Sequence, residues 1–308
     1  MPKKMPIRFT NEDAARKHLE ALLWKDGPLC PHCGSLDCAT KLKGKSTRPG
    51  VYWCNGCQKP FSVTVGTVYE RSHVPLHTWL YATHLLCSSK KGISSHQLSR
   101  MLGVTYKTAW FMTHRIREAM KPGLGDTPLG GEGKTVEADE MFIGQKAGKT
   151  KQGGARGYAH KRTILSLVER GGKVRSFPIE TPSTHEIKGP MYRNVHSATM
   201  IYTDAAQHYS FMPAAKHSSV NHSTGEYVRD DVHTNTVEGV FSIFRRGMVG
   251  TYQHCGEQHL QRYLNEFDFR YSNRMKLGID DDMRTDVALS GIVGKRLTYR
   301  RTIAAQDA

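Results

Sequence analysis

Four cysteines near the amino terminus have the types and spacing of metal ligands. They form two pairs, Cys30-Pro-His-Cys33 and Cys54-Asn-Gly-Cys57, with twenty residues between them. Tetrahedral Zn²⁺ takes four soft ligands, and two C-x-x-C pairs joined by a loop supply them. Two disulfides are the alternative, but they are rare in the reducing compartment expected for a chain that starts without a secretory signal. Four thiolates leave no position for a substrate, so the predicted Zn²⁺ is structural, with His32 and Cys38 incidental neighbours.

Two aspartates in the second half of the chain could bind a different kind of metal. Asp139 lies in the middle of one predicted strand, and Asp204 ends another. If these strands are neighbours, both carboxylates point into one pocket, and such a pair holds two divalent ions about 4 Å apart. Mg²⁺ or Mn²⁺ suits oxygen ligands. The expected chemistry is an in-line phosphoryl displacement, with a water or 3′-hydroxyl as the attacking group.

A third oxygen donor is expected from a later helix. The segment His233-Thr-Asn-Thr-Val-Glu238 offers Asn235 and Glu238, one helical turn apart on one face. Charge favours Glu238, because a carboxylate compensates the metal charge and an amide does not, and both residues remain catalytic candidates. Arg245 lies two turns beyond Glu238 on the same face and could hold a DNA phosphate, as could the adjacent Arg246.

The elements that must position these acids follow from hydrophobic patterning. Strands are predicted at 135–143, 163–168, 174–179 and 199–204, and helices at 184–195 and 235–246. This order matches a ribonuclease-H-like α/β domain with a mixed sheet, which is an inference from pattern and analogy.

The amino-terminal part predicts two smaller modules. A capped helix precedes the cysteines, and a strand at Phe61–Val65 would complete a zinc ribbon. Residues 94–117 are predicted to form two helices joined at Gly103, a helix-turn-helix whose second helix could present Lys107, Arg115 and Arg117 to DNA. An ordinary helical hairpin is the alternative.

The predicted fold class is therefore α+β, with a zinc ribbon and a helix-turn-helix before the catalytic domain. The boundaries are 1–68 for the ribbon with its leading helix, 69–121 for the helix-turn-helix region, 122–134 for a linker, 135–279 for the ribonuclease-H-like domain and 280–308 for a helix with a basic tail. A P-loop-like run at 144–150 is one residue too short for that motif, so 144–161 is predicted to be a basic surface loop.

Charge indicates the class of partner. The 308 residues carry a formal charge of +16, from 44 Lys and Arg against 28 Asp and Glu. Such an excess favours nucleic acid, because basic side chains displace the counterions of phosphates; a role in solubility alone is the alternative. No apolar run is long enough for a membrane span, so membrane and secreted proteins are excluded and a cytoplasmic, nucleoid-associated protein is expected.

The segments His233–His254 and His259–Arg274, the Val136–Glu140 strand and the cysteine ribbon together resemble the ISXO-type insertion-sequence transposases, which are related to the Merlin transposons. The resemblance covers nearly the whole chain. Two positions depart from the family pattern. Arg245 stands where a lysine is usual, and Phe142-Ile-Gly-Gln145 replaces a Tyr-Ile-Gly-Gly-like turn.

This resemblance implies a metal-dependent DDE transposase that binds terminal inverted repeats and joins a freed 3′-hydroxyl to target DNA. Asp139 and Asp204 match the first two acidic positions, while Asn235 and Glu238 compete for the third. The family carries a series like Glu266, Arg270 and Arg274. In one interpretation the two arginines contact DNA and Glu266 lies near the active site or orients Arg270; in the other, the three form a helical salt-bridge ladder. Because two DNA ends must meet, a homodimer or larger assembly on DNA is expected. The rival functions are an inactive or domesticated DNA-binding regulator and a stand-alone nuclease of the same fold.

Overall fold

The described residues form eight β-strands and eight α-helices. The computed structural model describes residues 5–123, 126–149 and 157–298. The strands are β1 (Ala39–Lys41), β2 (Tyr52–Cys54), β3 (Lys59–Phe61), β4 (Thr135–Ile143), β5 (Arg162–Glu169), β6 (Val174–Ile179), β7 (Met200–Asp204) and β8 (His217–Val220). The α-helices are α1 (Glu12–Leu23), α2 (Leu76–Ser88), α3 (Ser95–Leu102), α4 (Tyr106–Ala119), α5 (Thr184–Asn194), α6 (Asn235–Gly247), α7 (Leu260–Ser272) and α8 (Asp281–Ser290).

The cysteine region forms a three-stranded antiparallel sheet in the order β1-β2-β3. Tyr52 and Phe61 stack beneath it, and Trp24 meets both rings edge-on. The ribbon sheet expected from the sequence is therefore present. The strand predicted at Phe61–Val65 is displaced, because β3 ends at Phe61 and the Val65 amide turns back to donate to the Ser62 carbonyl at 3.0 Å.

Helices α1, α2 and α8 pack together beside this ribbon within one compact unit. Seven of the thirteen residues of α2 are buried, and all but Thr83 of these are apolar. The carboxy-terminal α8 is tied to α2 by hydrogen bonds from Arg284 Nη1 to the Cys87 carbonyl at 2.9 Å and between His84 Nδ1 and Thr285 Oγ1 at 3.1 Å. Residues 280–290 are thus part of a helical core.

The helix-turn-helix has the end signals that the sequence shows. The Ser94 side chain caps α3 by accepting from the Gln97 amide, and α3 ends at Gly103, whose φ of 65° is left-handed. The Thr105 side chain then caps α4 by accepting from the Thr108 amide. These caps satisfy amides that a helix start leaves without partners.

The large sheet has the order β6-β5-β4-β7-β8. Strands β4, β5 and β6 run antiparallel to one another, whereas β7 lies parallel to both β4 and β8. The predicted mixed sheet and ribonuclease-H-like order are confirmed. Strand β8 was missed because four residues, His217-Ser-Ser-Val220, carry too little apolar patterning to predict a strand.

Each face of the large sheet is covered by a different core. Met141 of β4 and Ile164 of β5 pack against Val240 and Phe244 of α6 and Phe267 of α7. On the opposite face, residues of β4 and β5 pack against α5 and the turn after β7. Because side chains alternate along a strand, Asp139 lies on the same face as Met141, towards α6.

The protein folds as two compact units. The first comprises 5–89, 93–121 and 280–298, and the second comprises 90–92 and 122–279, within the described ranges. Residues 150–156 of the predicted basic loop and residues 299–308 of the predicted basic tail lie outside those ranges. No helix in the described part of the chain is long and apolar enough to cross a membrane.

Candidate active site and metal centres

Asp139 and Asp204 occupy matching positions on the adjacent parallel strands β4 and β7. The strands pair Val136 with Ile201 and Glu137 with Tyr202. The pairing ends there, and the same register continued for two residues would place Asp139 opposite Asp204. The negative charge of Asp204 does act on Asp139. Both side chains therefore point to the face covered by α6. The structure brings together the two acids that the strand pattern predicted.

Helix α6 begins beside these aspartates and supplies the third predicted donor. Asn235 is its first residue, and Glu238 lies in its first turn, with both side chains exposed. The Thr234 hydroxyl donates to Glu238 Oε1 at 3.1 Å. The negative charge of Glu238 acts on Asp139. Glu238 is thus electrostatically coupled to Asp139, and Asn235 lies one turn away.

Burial and neighbouring negative charges raise the pKa values of the carboxyl groups at this site. Burial raises the pKa of Asp139 to about 8, and the negative charges of Glu140, Asp204 and Glu238 add to the rise. Burial, followed by the charge of Glu140, also raises the pKa of Asp204. Neighbouring carboxylates that disfavour one another's ionised forms are a donor set suited to a divalent cation. Mg²⁺ or Mn²⁺ fits the residues present.

These acids are less tightly gathered than the cysteines. Cys, His, Asp and Glu side chains could together hold a metal ion where three or more ligand atoms lie close together. Among the residues that the structure describes, one such group is found, in which the ligand atoms of Cys30, Cys33, Cys54 and Cys57 all lie within 4.8 Å of one another. The charges of Asp204 and Glu238 act on Asp139, but the ligand atoms of these three acids do not all lie as close together as the four sulfur atoms do.

The four cysteines have the geometry of a tetrahedral metal site. The Sγ atoms of Cys30 and Cys57 lie 3.7 Å apart, and those of Cys33 and Cys54 lie 3.6 Å apart. Hydrogen bonds with Ser35 lower the pKa of Cys33 to about 6, whereas burial and the other cysteines raise the pKa of Cys57 to about 12. Cys33 is therefore the thiol of the group that ionises most readily. His32 and Cys38 lie outside the group, as expected. Four clustered thiols on a zinc-ribbon sheet fit a structural Zn²⁺.

A second carboxylate on β4, Glu140, was missed by sequence reasoning. Its side chain is almost fully buried, accepts a short hydrogen bond from the Tyr209 hydroxyl and pairs with His208 Nε2 at 3.1 Å. The hydrogen bond to Glu140 raises the pKa of His208. Glu140 therefore holds the segment that follows Asp204. Adjacent acids inside a strand, Asp139-Glu140, were the available signal.

Exposed basic side chains remain candidates for DNA contact in three places. Lys107 is exposed on α4, and Arg245 and Arg246 are exposed on α6. Arg245 follows Glu238 by two helical turns, so it lies on the face of α6 that carries the proposed donor. These positions suit phosphate contacts beside the acids and on the second helix of the helix-turn-helix.

The other predicted DNA contacts lie inside the protein. Arg115 donates to the Glu70 carbonyl at 2.8 Å, and Arg117, only 1% exposed, donates to Thr113 Oγ1 at 3.0 Å. Both point inward because α4 packs its last turns against the helical core. Their prediction as DNA ligands does not agree with this packing.

Arg270 of α7 and Arg274, which lies two residues beyond the end of α7, have similar structural roles. Arg270 is buried and forms an ion pair with the buried Glu266, to which Tyr252 also donates at 2.5 Å. Arg274 donates to the carbonyls of Gly172 and Tyr271 at 2.8 and 2.7 Å. The salt-bridge alternative therefore describes Glu266 and Arg270 better than direct DNA contact does.

Comparison with known protein families identifies two regions of this chain. Residues 128–272 match the family described as the ISXO2-like transposase domain, and residues 10–60 match the transposase zinc-ribbon domain. A similar curated protein is described as an uncharacterized protein in transposable element ISH50 of Halobacterium salinarum. It is 28% identical, and the match covers 86% of this chain and 93% of the relative.

Solved structures give only a weak likeness. The crystal structure of the mariner Mos1 paired end complex with Mg aligns with a TM-score of 0.23 and 14% identity, over 97% of this chain and all of that one. A pre-cleavage Mos1 transpososome aligns with a TM-score of 0.17 and 13% identity, over 94% of each chain. At these scores the likeness carries no argument.

Proposed function

We propose that this protein acts on DNA as an element-end transposase. Its residues 128–272 match the ISXO2-like transposase domain family, and its residues 10–60 match the transposase zinc-ribbon family. It would bind the terminal inverted repeats of its insertion sequence, cut there and join the freed 3′-hydroxyl to target DNA. The observation that carries this proposal is the placement of Asp139 and Asp204 on adjacent parallel strands, with Glu238 acting on Asp139 from α6.

Metal binding follows from this donor set. Asp139, Asp204 and Glu238 would hold Mg²⁺ or Mn²⁺, which activates the attacking oxygen and stabilises the leaving oxygen of a phosphoryl transfer. Glu238 is the preferred third donor because its charge reaches Asp139, and Asn235 is the alternative. Glu238→Gln and Asn235→Ala, compared in one DNA cleavage assay, distinguish Glu238 from Asn235 as the third donor.

The chain's own residues would orient the DNA. Arg245 and Arg246 lie on the exposed surface of α6 and can neutralise phosphates of the strand being cut. Lys107, on the second helix of the helix-turn-helix, can contact the end repeat, and the zinc ribbon adds a second DNA-binding module. Because two ends must be processed together, we expect a dimer or larger assembly on DNA.

A strand-transfer assay on DNA carrying the element's terminal repeats tests the proposal. Wild-type protein with Mg²⁺ should yield nicked ends and joined target strands. The activity of Asp204→Ala should be at least about a thousandfold lower than that of wild type, the scale expected when a catalytic residue is removed. It should still bind the end DNA. Lys276→Ala, which changes a residue outside the proposed machinery, is the control and should behave as wild type.

Other outcomes identify the rival functions. End binding with no cleavage product from either protein would indicate a DNA-binding regulator derived from a transposase. Metal-dependent cleavage without any joined strand would indicate a stand-alone nuclease of the same fold. Either result contradicts the transposase proposal.

A further inference from the structure

Glu137 is a completely buried carboxylate on β4, two residues before Asp139 and on the same face of the sheet. One of its oxygens accepts from the backbone amides of Thr236 at 2.7 Å and Val237 at 3.0 Å, and the other accepts from the Thr236 hydroxyl at 2.7 Å. These amides belong to the first turn of α6. A strand carboxylate thus caps the helix that carries Asn235 and Glu238.

One local side chain caps the start of helix α6, because His233 Nδ1 accepts from the Asn235 amide at 3.3 Å. Thr234 occupies the position before the helix, but its side chain makes no capping hydrogen bond to a backbone amide. Its hydroxyl donates to Glu238 instead. A helix start has unsatisfied amides and a partial positive charge, so a carboxylate placed there is favourable. Glu137 supplies that carboxylate from a residue about a hundred positions earlier.

Arg170 and His233 complete the environment of the Glu137 carboxylate. Arg170 Nε donates to Glu137 Oε1 at 2.7 Å, and His233 Nδ1 lies 3.4 Å from the same oxygen. Arg170 Nη2 also donates to the His233 carbonyl at 3.1 Å. Arg170 therefore fixes the approach to α6, while its own amide donates to Thr135 on β4 at 3.0 Å.

A buried carboxylate is costly unless it is paired and hydrogen-bonded. Glu137 meets both conditions, because Arg170, just after β5, pairs with it and the first turn of α6 donates hydrogen bonds to it. A cap from within the helix would stabilise α6 equally without relating it to β4. We infer that Glu137 is a positioning residue that fixes Glu238 and Asn235 relative to Asp139. This inference rests on the proposed function, because it concerns the metal-binding oxygens.

The test compares Glu137→Gln and Glu137→Ala with Asp268→Asn in the full chain. Asp268 is the matched control, because it is also a buried carboxylate of the second unit and accepts from Ser176 N at 2.6 Å and Ser176 Oγ at 2.8 Å. Gln is isosteric with Glu, so the Gln variant tests the charge if the Ala variant fails to fold. Amide hydrogen exchange, Mn²⁺ binding by electron paramagnetic resonance and thermal unfolding are measured for each protein. Mn²⁺ binding that Asp204→Asn removes defines the site.

The Gln variant should remain folded while the Thr236 and Val237 amides exchange faster than in wild type. Its Mn²⁺ binding at the Asp204-dependent site should weaken by about tenfold or more, the scale seen when partners of metal ligands are changed. Asp268→Asn should keep wild-type Mn²⁺ affinity and wild-type exchange at α6. A purely structural role would instead lower the unfolding temperature and leave Mn²⁺ affinity unchanged.

Two results would overturn the positioning role. One is unchanged exchange at Thr236 and Val237 with wild-type Mn²⁺ affinity in the Glu137 variants, and the other is an equal loss of Mn²⁺ affinity in Asp268→Asn. Failure of the wild-type chain to bind Mn²⁺ through Asp204 would contradict the proposed function instead. In that case the amide exchange still decides whether Glu137 holds the start of α6.

Discussion

Asp139 shows at the scale of one residue how burial and neighbouring charges act on a proposed metal ligand. Its carboxyl is buried beside Glu140, Asp204 and Glu238, and these surroundings raise its pKa to about 8 from 3.8. Burial and like charges both disfavour the ionised form. A divalent ion reverses this balance, because it attracts the carboxylates that otherwise repel one another. The protein is therefore expected to release a proton when it binds metal near neutral pH.

The raised pKa also predicts how stability depends on pH. Between pH 3.8 and about 8, folded Asp139 retains a proton that the unfolded chain has released. The free energy of unfolding must therefore fall as pH rises through that window. Asp139→Asn removes the titrating group. Without added Mg²⁺, this variant should have a higher Tm than wild type near pH 9, and the difference should shrink near pH 5, with about 2–4 °C for each kcal/mol.

Thermal unfolding at both pH values, followed by circular dichroism, measures the effect. Glu132→Gln removes an exposed carboxylate of the same unit and should leave the pH dependence as in wild type. A difference between Asp139→Asn and wild type that is the same at both pH values would show that Asp139 has an ordinary pKa.

Residues whose partners are close in sequence could be predicted, and those with remote partners could not. The spacing of Cys30, Cys33, Cys54 and Cys57 is visible in a short segment, and their sulfur atoms do meet. Glu137 has the same local appearance as any acid in a strand. Its partner Thr236 lies 99 residues away, so its role becomes visible only after β4 and α6 have been placed together.

At the scale of elements, the ribbon depends on its cysteines for a core. Buried Cys54 lies beneath the small sheet with Tyr52 and Phe61, and strands of three residues cannot provide much core of their own. Metal binding and folding of such a module are then one free energy.

Cys54→Ser should therefore lose Zn²⁺ and unfold the ribbon, and end-DNA binding should weaken with it. Cys38→Ser changes a cysteine of the same ribbon outside the four-sulfur group and should retain one Zn²⁺ per chain. Metal content by mass spectrometry and tryptophan fluorescence of Trp24 and Trp53 report the two effects. A Cys54→Ser protein with full Zn²⁺ content and a folded ribbon would refute the assignment.

Helix α4 divides its basic residues between core and surface. Arg117 is buried, so Arg117→Ala should lower the free energy of unfolding by roughly 2–3 kcal/mol, as expected for loss of a buried polar contact. Exposed Lys107→Ala should leave stability near wild type, weaken DNA binding and reduce the salt slope of log K by about one. Fluorescence anisotropy at several salt concentrations and thermal unfolding measure both. The reverse pattern would mean that α4 presents Arg117 to DNA.

At the scale of the whole molecule, long periodic elements could be predicted and packing partners could not. Strands β4 and β6 have the predicted bounds, and α6 differs by one residue, because apolar residues recur along each of them. The edge strand β8 and the shift of β3 depend on pairing with neighbours, which local pattern does not encode. Likewise, α8 was predicted to belong to a separate tail segment, but its place against α2 is set by tertiary packing.

The formal charge of +16 and the carboxylate cluster have complementary places in this account. The excess of basic side chains favours a polyanion as partner, whereas the proposed donor acids would favour cations over phosphates locally. A polyanion brought to such a site requires metal ions between the two sets of negative charges. Activity should therefore depend on metal at the acids and on salt at the surface.

Strand transfer by Asp204→Cys tests most directly whether Asp204 holds a metal ion at the reacting phosphate. A thiolate is a poor ligand for Mg²⁺ and a better one for the softer Mn²⁺. The variant should be inactive on element-end DNA with Mg²⁺ and regain measurable strand transfer with Mn²⁺, while Asp204→Asn stays inactive with both ions. Equal activity of Asp204→Cys and wild type with Mg²⁺, or transfer by Asp204→Asn with either ion, would contradict the account.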